Sequence, residues 1–207
     1  ASDVQMNGGT LASIDTSAGA VWATRFDPQS GRPLLSMVDR SADEVAQAGP
    51  RAALAVSTTG TVVATSGVDR RVSVLRPTQS GFAEPVVDDL AAAAGSPTAV
   101  TTVGERIVTL DASSGQLSVL AGPSVKLPEA GVLQQPGPTA GEVLVATHTE
   151  LLGIDLDSGG QRVIATANGI PAEPVRLGAC AYGAWAQGRG AVAVQCGSED
   201  AAVNSLG

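Results

Sequence analysis

The stretch Gly104-Glu105-Arg106-Ile107-Val108-Thr109-Leu110-Asp111 runs from a glycine and an acid through a short β-branched and aliphatic run to an Asp, and Ala112-Ser113-Ser114-Gly115 follows. The apolar run is too short for a helix and is bounded by turn residues, so it reads as a strand. The same phrase occurs as Gly9-Thr10-Leu11-Ala12-Ser13-Ile14-Asp15, as Gly60-Thr61-Val62-Val63-Ala64-Thr65-Ser66 and as Gly141-Glu142-Val143-Leu144-Val145-Ala146-Thr147. A weaker copy is Gly188-Arg189-Gly190-Ala191-Val192-Ala193-Val194. The five leading glycines stand 51, 44, 37 and 47 residues apart, a period that marks an array of similar units.

Working outward, further strand-like runs flank each phrase. Residues 52–57, 98–103 and 181–186 precede three copies; 20–26, 71–75, 116–120 and 151–154 follow four of them; 33–38, 82–87 and 161–166 supply a fourth run. Four strands per repeat is the spacing of a propeller blade. The expectation is an all-β chain, one β-propeller over residues 1–207 with about five four-stranded antiparallel units near 1–40, 51–88, 97–128, 132–168 and 178–207. The Asp-led turns at Asp15 and Asp111 fall between second and third strands, and those at Asp27 and Asp155 between third and fourth, where Asp and Ser bond the local backbone and Gly takes positive φ. Residues 41–48 have capping-box spacing, but Gly49-Pro50 ends them within two turns. They and residues 88–95 read as connections between blades. The fifth unit ends soon after its second strand at Cys196, with only Ala201-Ala202-Val203 as further strand material. The last blade is therefore expected to lack one or two strands, and the chain to be an open arc of a larger ring, or a homo-oligomer that closes the ring between chains.

Composition narrows function. Only five residues are aromatic, so the core must be Val, Leu, Ile and Ala. Twenty acids against twelve bases give a net charge of -8, a field that repels nucleic-acid backbones and anionic lipid headgroups. Lys126 is the sole lysine, an arginine bias that reads as a GC-rich bacterial source. No run approaches the ~18 apolar residues of a membrane span. The start Ala1-Ser2-Asp3 has neither an initiator Met nor a leader, and reads as part of a longer polypeptide whose signal or anchor lies outside this fragment.

Cys180 and Cys196 are symmetric about Gly188. A hairpin turning there opposes the two cysteines, with Tyr182 opposite Val194 and Ala184 opposite Val192, at a separation that a disulfide accepts. A disulfide implies an oxidising compartment, and the alternative is two buried reduced thiols. Two Cys and one His do not complete a zinc sphere, so no metal is expected.

The candidates for a site are few. His148 lies in a predicted hairpin turn where Glu150 could orient it as a general base. Propeller lyases of the virginiamycin B type use a histidine on one face, but no second histidine or clustered acid accompanies His148, and an exposed turn residue is the simpler reading. Trp22 and Trp185 could stack on a ring; in Ala-rich surroundings they read as inter-sheet packing. Asp155-Leu156-Asp157 begins like a calcium loop but lacks its bidentate Glu. Asp88-Asp89 with Glu84 are paired acids in sequence, yet neighbouring strand residues face opposite ways. No vicinal cysteines or mixed-charge cluster suit a quinone, so no cofactor is expected.

The repeats resemble the quinoprotein-like and YVTN-like bacterial β-propeller families, whose strands end in an Asp, a small-residue turn and Gly. A closer likeness is to the extracellular propeller segments of actinobacterial surface proteins that carry fibronectin type III or Ig-like domains, where a Cys, a Trp-containing strand and a second Cys occur together, as in Cys180-Ala181-Tyr182-Gly183-Ala184-Trp185 and Val192-Ala193-Val194-Gln195-Cys196. That resemblance implies an exported, cell-surface protein without assigned catalytic residues. The expected function is a non-catalytic scaffold binding a protein or a cell-wall glycan, with no nucleic-acid partner and no direct membrane contact. The alternative is a propeller hydrolase or lyase whose active site is not identified.

Overall fold

Short strands with small turns pair with their immediate neighbours, because a hairpin closes a few residues where a distant partner must close a long loop. The computed structural model describes residues 2–27, 29–33, 44–79, 81–91, 94–186 and 188–206, and none of these forms an α-helix. The first sheet runs β1 (Ser2–Asn7), β2 (Thr10–Asp15), β3 (Ala20–Arg25) and β4 (Glu44–Gln47) in chain order. The second runs β5 (Ala52–Val56), β6 (Val62–Ser66) and β7 (Arg71–Leu75); a small hairpin of β8 (Pro77–Thr78) and β9 (Gly81–Phe82) precedes its last strand, β10 (Val86–Asp89). The third holds β11 (Ala99–Val103), β12 (Arg106–Asp111), β13 (Gln116–Val119) and β14 (Ser124–Lys126). The fourth holds β15 (Gly131–Leu133), β16 (Glu142–Thr147), β17 (Glu150–Asp155) and β18 (Gln161–Thr166). In the fifth, β19 (Ile170–Pro171) and β20 (Val175–Leu177) together flank β21 (Cys180–Ala186), followed by β22 (Ala191–Cys196) and β23 (Ala202–Ser205).

Three expectations need correction. Glu44–Gln47 is not a connection but the fourth strand of the first sheet, pairing with β3, and Asp88-Asp89, expected to begin a connection, continue from Val86-Val87 as the fourth strand of the second, pairing with β7. Four residues cannot sustain a helix nucleus, and the free edge of the preceding strand offers them main-chain partners. The fourth strand of the second unit accordingly lies later than residues 82–87, while most of the run expected at 33–38 lies outside the described residues. Finally, the fifth blade is not short. Residues 170–177, left between units in the sequence reading, supply its inner strand in two pieces, and β23 supplies its outer one. The break between the pieces falls at Ala172-Glu173-Pro174, where proline has no N–H to give the ladder.

Consecutive sheets stack face to face through four apolar clusters. Ile14 and Val21 pack with Leu54 and Val62 between the first two sheets; Val72 and Val74 with Val100 and Ile107 between the next two. Val108, Leu110 and Leu117 meet Val143, Leu152 and Ile154; Leu144 and Leu151 meet Ala181, Trp185 and Ala193. Burying each Val, Leu or Ile contributes about 1.5–3 kcal/mol. The sheets also share polar joints. Gly19, at φ 77°, comes so close to the next connection that a Cβ would stand 2.0 Å from the Gly49 carbonyl oxygen. Thr10 Oγ1 donates to the Gly60 carbonyl at 3.0 Å. A Gln134–Gly137 loop ties three sheets: Leu144 N donates to Gln134 Oε1 at 2.8 Å, Gln135 N to the Pro174 carbonyl at 2.9 Å, and Gly137 N to the Thr102 carbonyl at 3.0 Å.

Candidate functional site

The inner strands converge on a cavity of about 340 Å³ lined by Asp3, Gln5, Asn7, Gln135, Pro136 and Glu173. Strand alternation brings these polar side chains inward from β1, while the loop after β15 and the break between β19 and β20 supply the others. Two of them are fixed in place. Gln5 Nε2 donates to the Leu54 carbonyl at 2.9 Å and its Oε1 accepts from Val56 N at 3.2 Å; Asn7 Nδ2 donates to the Val56 carbonyl at 3.2 Å. The cavity thus presents amides and two carboxylates, groups that hold a polar ligand by hydrogen bonds.

His148 is exposed on the turn between β16 and β17, and it lines none of the cavities described here. Glu150 begins β17, and its N–H donates to Thr147 Oγ1 at 3.0 Å. The carboxylate nearest this turn in hydrogen bonding is Glu129, which sequence reading did not single out. Glu129 Oε1 accepts from Thr149 N at 3.0 Å and from Thr149 Oγ1 at 2.6 Å. The hydroxyls of Thr147 and Thr149, with His148 nearby, hold its carboxyl below the usual range. Trp185 is buried beneath the same turn, donating Nε1–H to the Thr147 carbonyl at 2.7 Å. Trp22, half-buried on the first sheet, is not part of this group. The structure therefore gathers His148, Glu150 and Trp185 at one hairpin and leaves Trp22 three blades away. Twenty residues separate Glu129 from Thr149, and only the pairing of the fourth sheet reveals their contact.

Several other acids are engaged by the framework. Asp15 and Asp155 accept from the hydroxyls of Ser17 and Ser158 at 2.6 and 2.7 Å, and Asp27 from Gln29 N at 2.8 Å, so all three carboxyls lie below the usual range. Asp155 Oδ1 closes the 155–158 turn by accepting from Asp157 N and Ser158 N, and Asp157 pairs with Arg106 of the third sheet at 2.5 Å. Burial alone would raise Asp111, but donors from Ser113, Ser96 and Ser114 outweigh it and hold the carboxyl far below the usual range. Burial likewise opposes ionisation of Glu142, and Arg162 and Arg176 overcome it at 2.8 and 2.9 Å. Glu105 accepts from Ser57, Thr59 and Thr61 across the second and third sheets. Asp89, at 3.5 Å from Arg71, lies on an edge strand beside a groove of about 600 Å³.

Cys180 and Cys196 are bonded, directly opposed in the β21–β22 ladder with Cα atoms 4.0 Å apart, in the register that symmetry about Gly188 requires.

No model of a known protein family and no curated protein matches the chain. Solved structures do. A catalytically inactive virginiamycin B lyase from Staphylococcus aureus with quinupristin aligns over 98% of this chain and 69% of its own, at 12% identity and TM-score 0.60. A streptogramin B lyase aligns over 98% and 67%, at 14% identity and TM-score 0.62. The β-propeller domain of Myceliophteria thermophila Cps50 (Swd1) aligns over 93% and 63%, at 16% identity and TM-score 0.54. The chain is a β-propeller. At these identities the likeness concerns the propeller's fold alone, and fold does not carry activity with it.

Proposed function

We propose that this propeller is a non-catalytic binding scaffold that works outside the cytoplasm, in the manner of the actinobacterial surface proteins its repeats resemble, and that it presents its loops and central cavity to a protein or a cell-wall glycan. The observation that carries this reading is the use of its acids. Asp15, Asp27, Asp111, Asp155, Glu105 and Glu142 each accept hydrogen bonds that close a turn or join two strands or sheets, so these carboxylates serve architecture. The Cys180–Cys196 disulfide supports an oxidising location. The amide-rich cavity suits hydroxyl-bearing or main-chain ligands.

The test has two arms. Sedimentation with purified cell-wall polysaccharide or with extracellular protein should carry the propeller down, and Gln135→Ala or Glu173→Ala should weaken that association. Screens against glycosides, esters and lyase substrates should show no turnover. The competing reading, a hydrolase or lyase, rests on the His148 turn with Glu129 beside it. Turnover abolished by His148→Ala would establish it instead.

A further inference from the structure

Among the described residues, each inner sheet of this propeller is covered on both faces, but the first and last are covered on one. On the first sheet the pairing sets Val4 opposite Ser13 and Met6 opposite Leu11, facing away from the second sheet. Val4 and Met6 are 61% and 69% exposed. On the fifth sheet, Leu177, Cys180 and Cys196 share one face, as do Val175, Tyr182 and Val194, all turned away from the fourth sheet. Ile170 and Leu177 there are 72% and 62% exposed, and a largely apolar hollow opens beside Ile170, Ala184 and Leu206. The charges on these two surfaces stand at their margins, Asp15 at the end of β2 and Arg189 at the rim of the hollow. A soluble array ends in repeats with polar outer faces, so neither end has the surface of a terminal cap. The two faces also border one gap: Asp3 to Asn7 of the first sheet and Glu173 of the fifth line the same central cavity.

We propose that both faces are seats for further four-stranded blades of the same polypeptide, about two in number, which close the ring. The count follows from the solved propellers. They carry this arc inside single chains as 63% to 69% of their length, and what remains is about two blades of this size. A single chain also closes the ring without the entropy cost of association that a second copy would bear.

Hydrogen exchange and light scattering, on the 207-residue chain and on the parent polypeptide with its adjoining residues, test this. The 207-residue chain should be a monomer that binds a hydrophobic dye, and Val4→Ser with Met6→Ser, or Ile170→Ser with Leu177→Ser, should lower dye binding. In the parent polypeptide, exchange at Val4 to Met6 and at Val175 to Leu177 should slow about tenfold or more, and dye binding should fall. A 207-residue chain that dimerises with both faces protected would assign them to a second copy and overturn the proposal. So would exchange that is unchanged at both faces in the parent polypeptide.

Discussion

At the scale of single residues, the acids distinguish what sequence spacing reveals from what it hides. Asp111 was legible: an Asp before Ala-Ser-Ser-Gly has donors two and three residues on, and the structure supplies them from Ser113 and Ser114. Its carboxyl is held below its ordinary value, so its contribution is complete above about pH 4 and drains away as pH falls through the lower, folded value. Asp111→Asn should therefore destabilise at neutral pH by about 1–3 kcal/mol, with the gap to the native protein narrowing in acid; denaturant titrations at several pH values measure it. The Glu142 cluster was not legible, because Arg162 and Arg176 lie 20 and 34 residues away and only the fourth and fifth sheets bring them in. Arg176 has a side chain 11% exposed and Arg162 one 48% exposed. Glu142→Ala should thus cost about 2 kcal/mol or more by leaving Arg176 buried without its carboxylate, while Arg162→Ala should cost under about 1 kcal/mol. Gly153→Ala should resemble the former, since its Cβ would stand 2.4 Å from Glu142 Oε2.

At the scale of elements, hairpins were legible and outer strands only in part: residues 161–166 form β18 as read, while the outer strands of the first two sheets were missed or misplaced. The β21–β22 pair has a glycine turn, alternating burial and two cysteines to fix its register, and it folds as read. Reducing Cys180–Cys196, 16 residues apart, should add the mass of two hydrogens and lower stability by about 3 kcal/mol. Trp185→Phe keeps the buried ring but removes the donor to the Thr147 carbonyl, and should cost about 1 kcal/mol in thermal unfolding. Glu44–Gln47 escaped, and Val86–Asp89 was only half read, because their letters carry little strand signal. Val86, Val87, Asp88 and Asp89 are all exposed, so no alternation of burial marks them, and it is the free edge of β7 that makes them a strand.

At the scale of the whole molecule, the period of the glycine phrases was enough to read a propeller, since each blade repeats the same local problem. The limit of that reading is the fifth unit, where Pro171 and Pro174 interrupt the inner strand and disguise it as a loop. Blades that touch only their neighbours form a nearly one-dimensional stack, and units covered on both faces open last. Native-state hydrogen exchange of the 207-residue chain should accordingly be slowest in β6, β12 and β16, and fastest in β1 and β23; uniform protection would contradict that.

The Gln134–Gly137 loop interrupts this stack. Its links to Pro174 and Thr102 are made by its own main chain, as is the bond it receives from Gly104 N, at 2.9, 3.0 and 2.9 Å, so they belong to no side chain. Replacing Gln135 leaves every one of them intact. Adding or removing one residue there would pull three blades out of step together. Gln134 apart, whose buried amide holds Leu144 N, what this loop enforces is a count of residues, a constraint that leaves no trace in the letters of Gln135 and Pro136 and fixes its length more than its spelling.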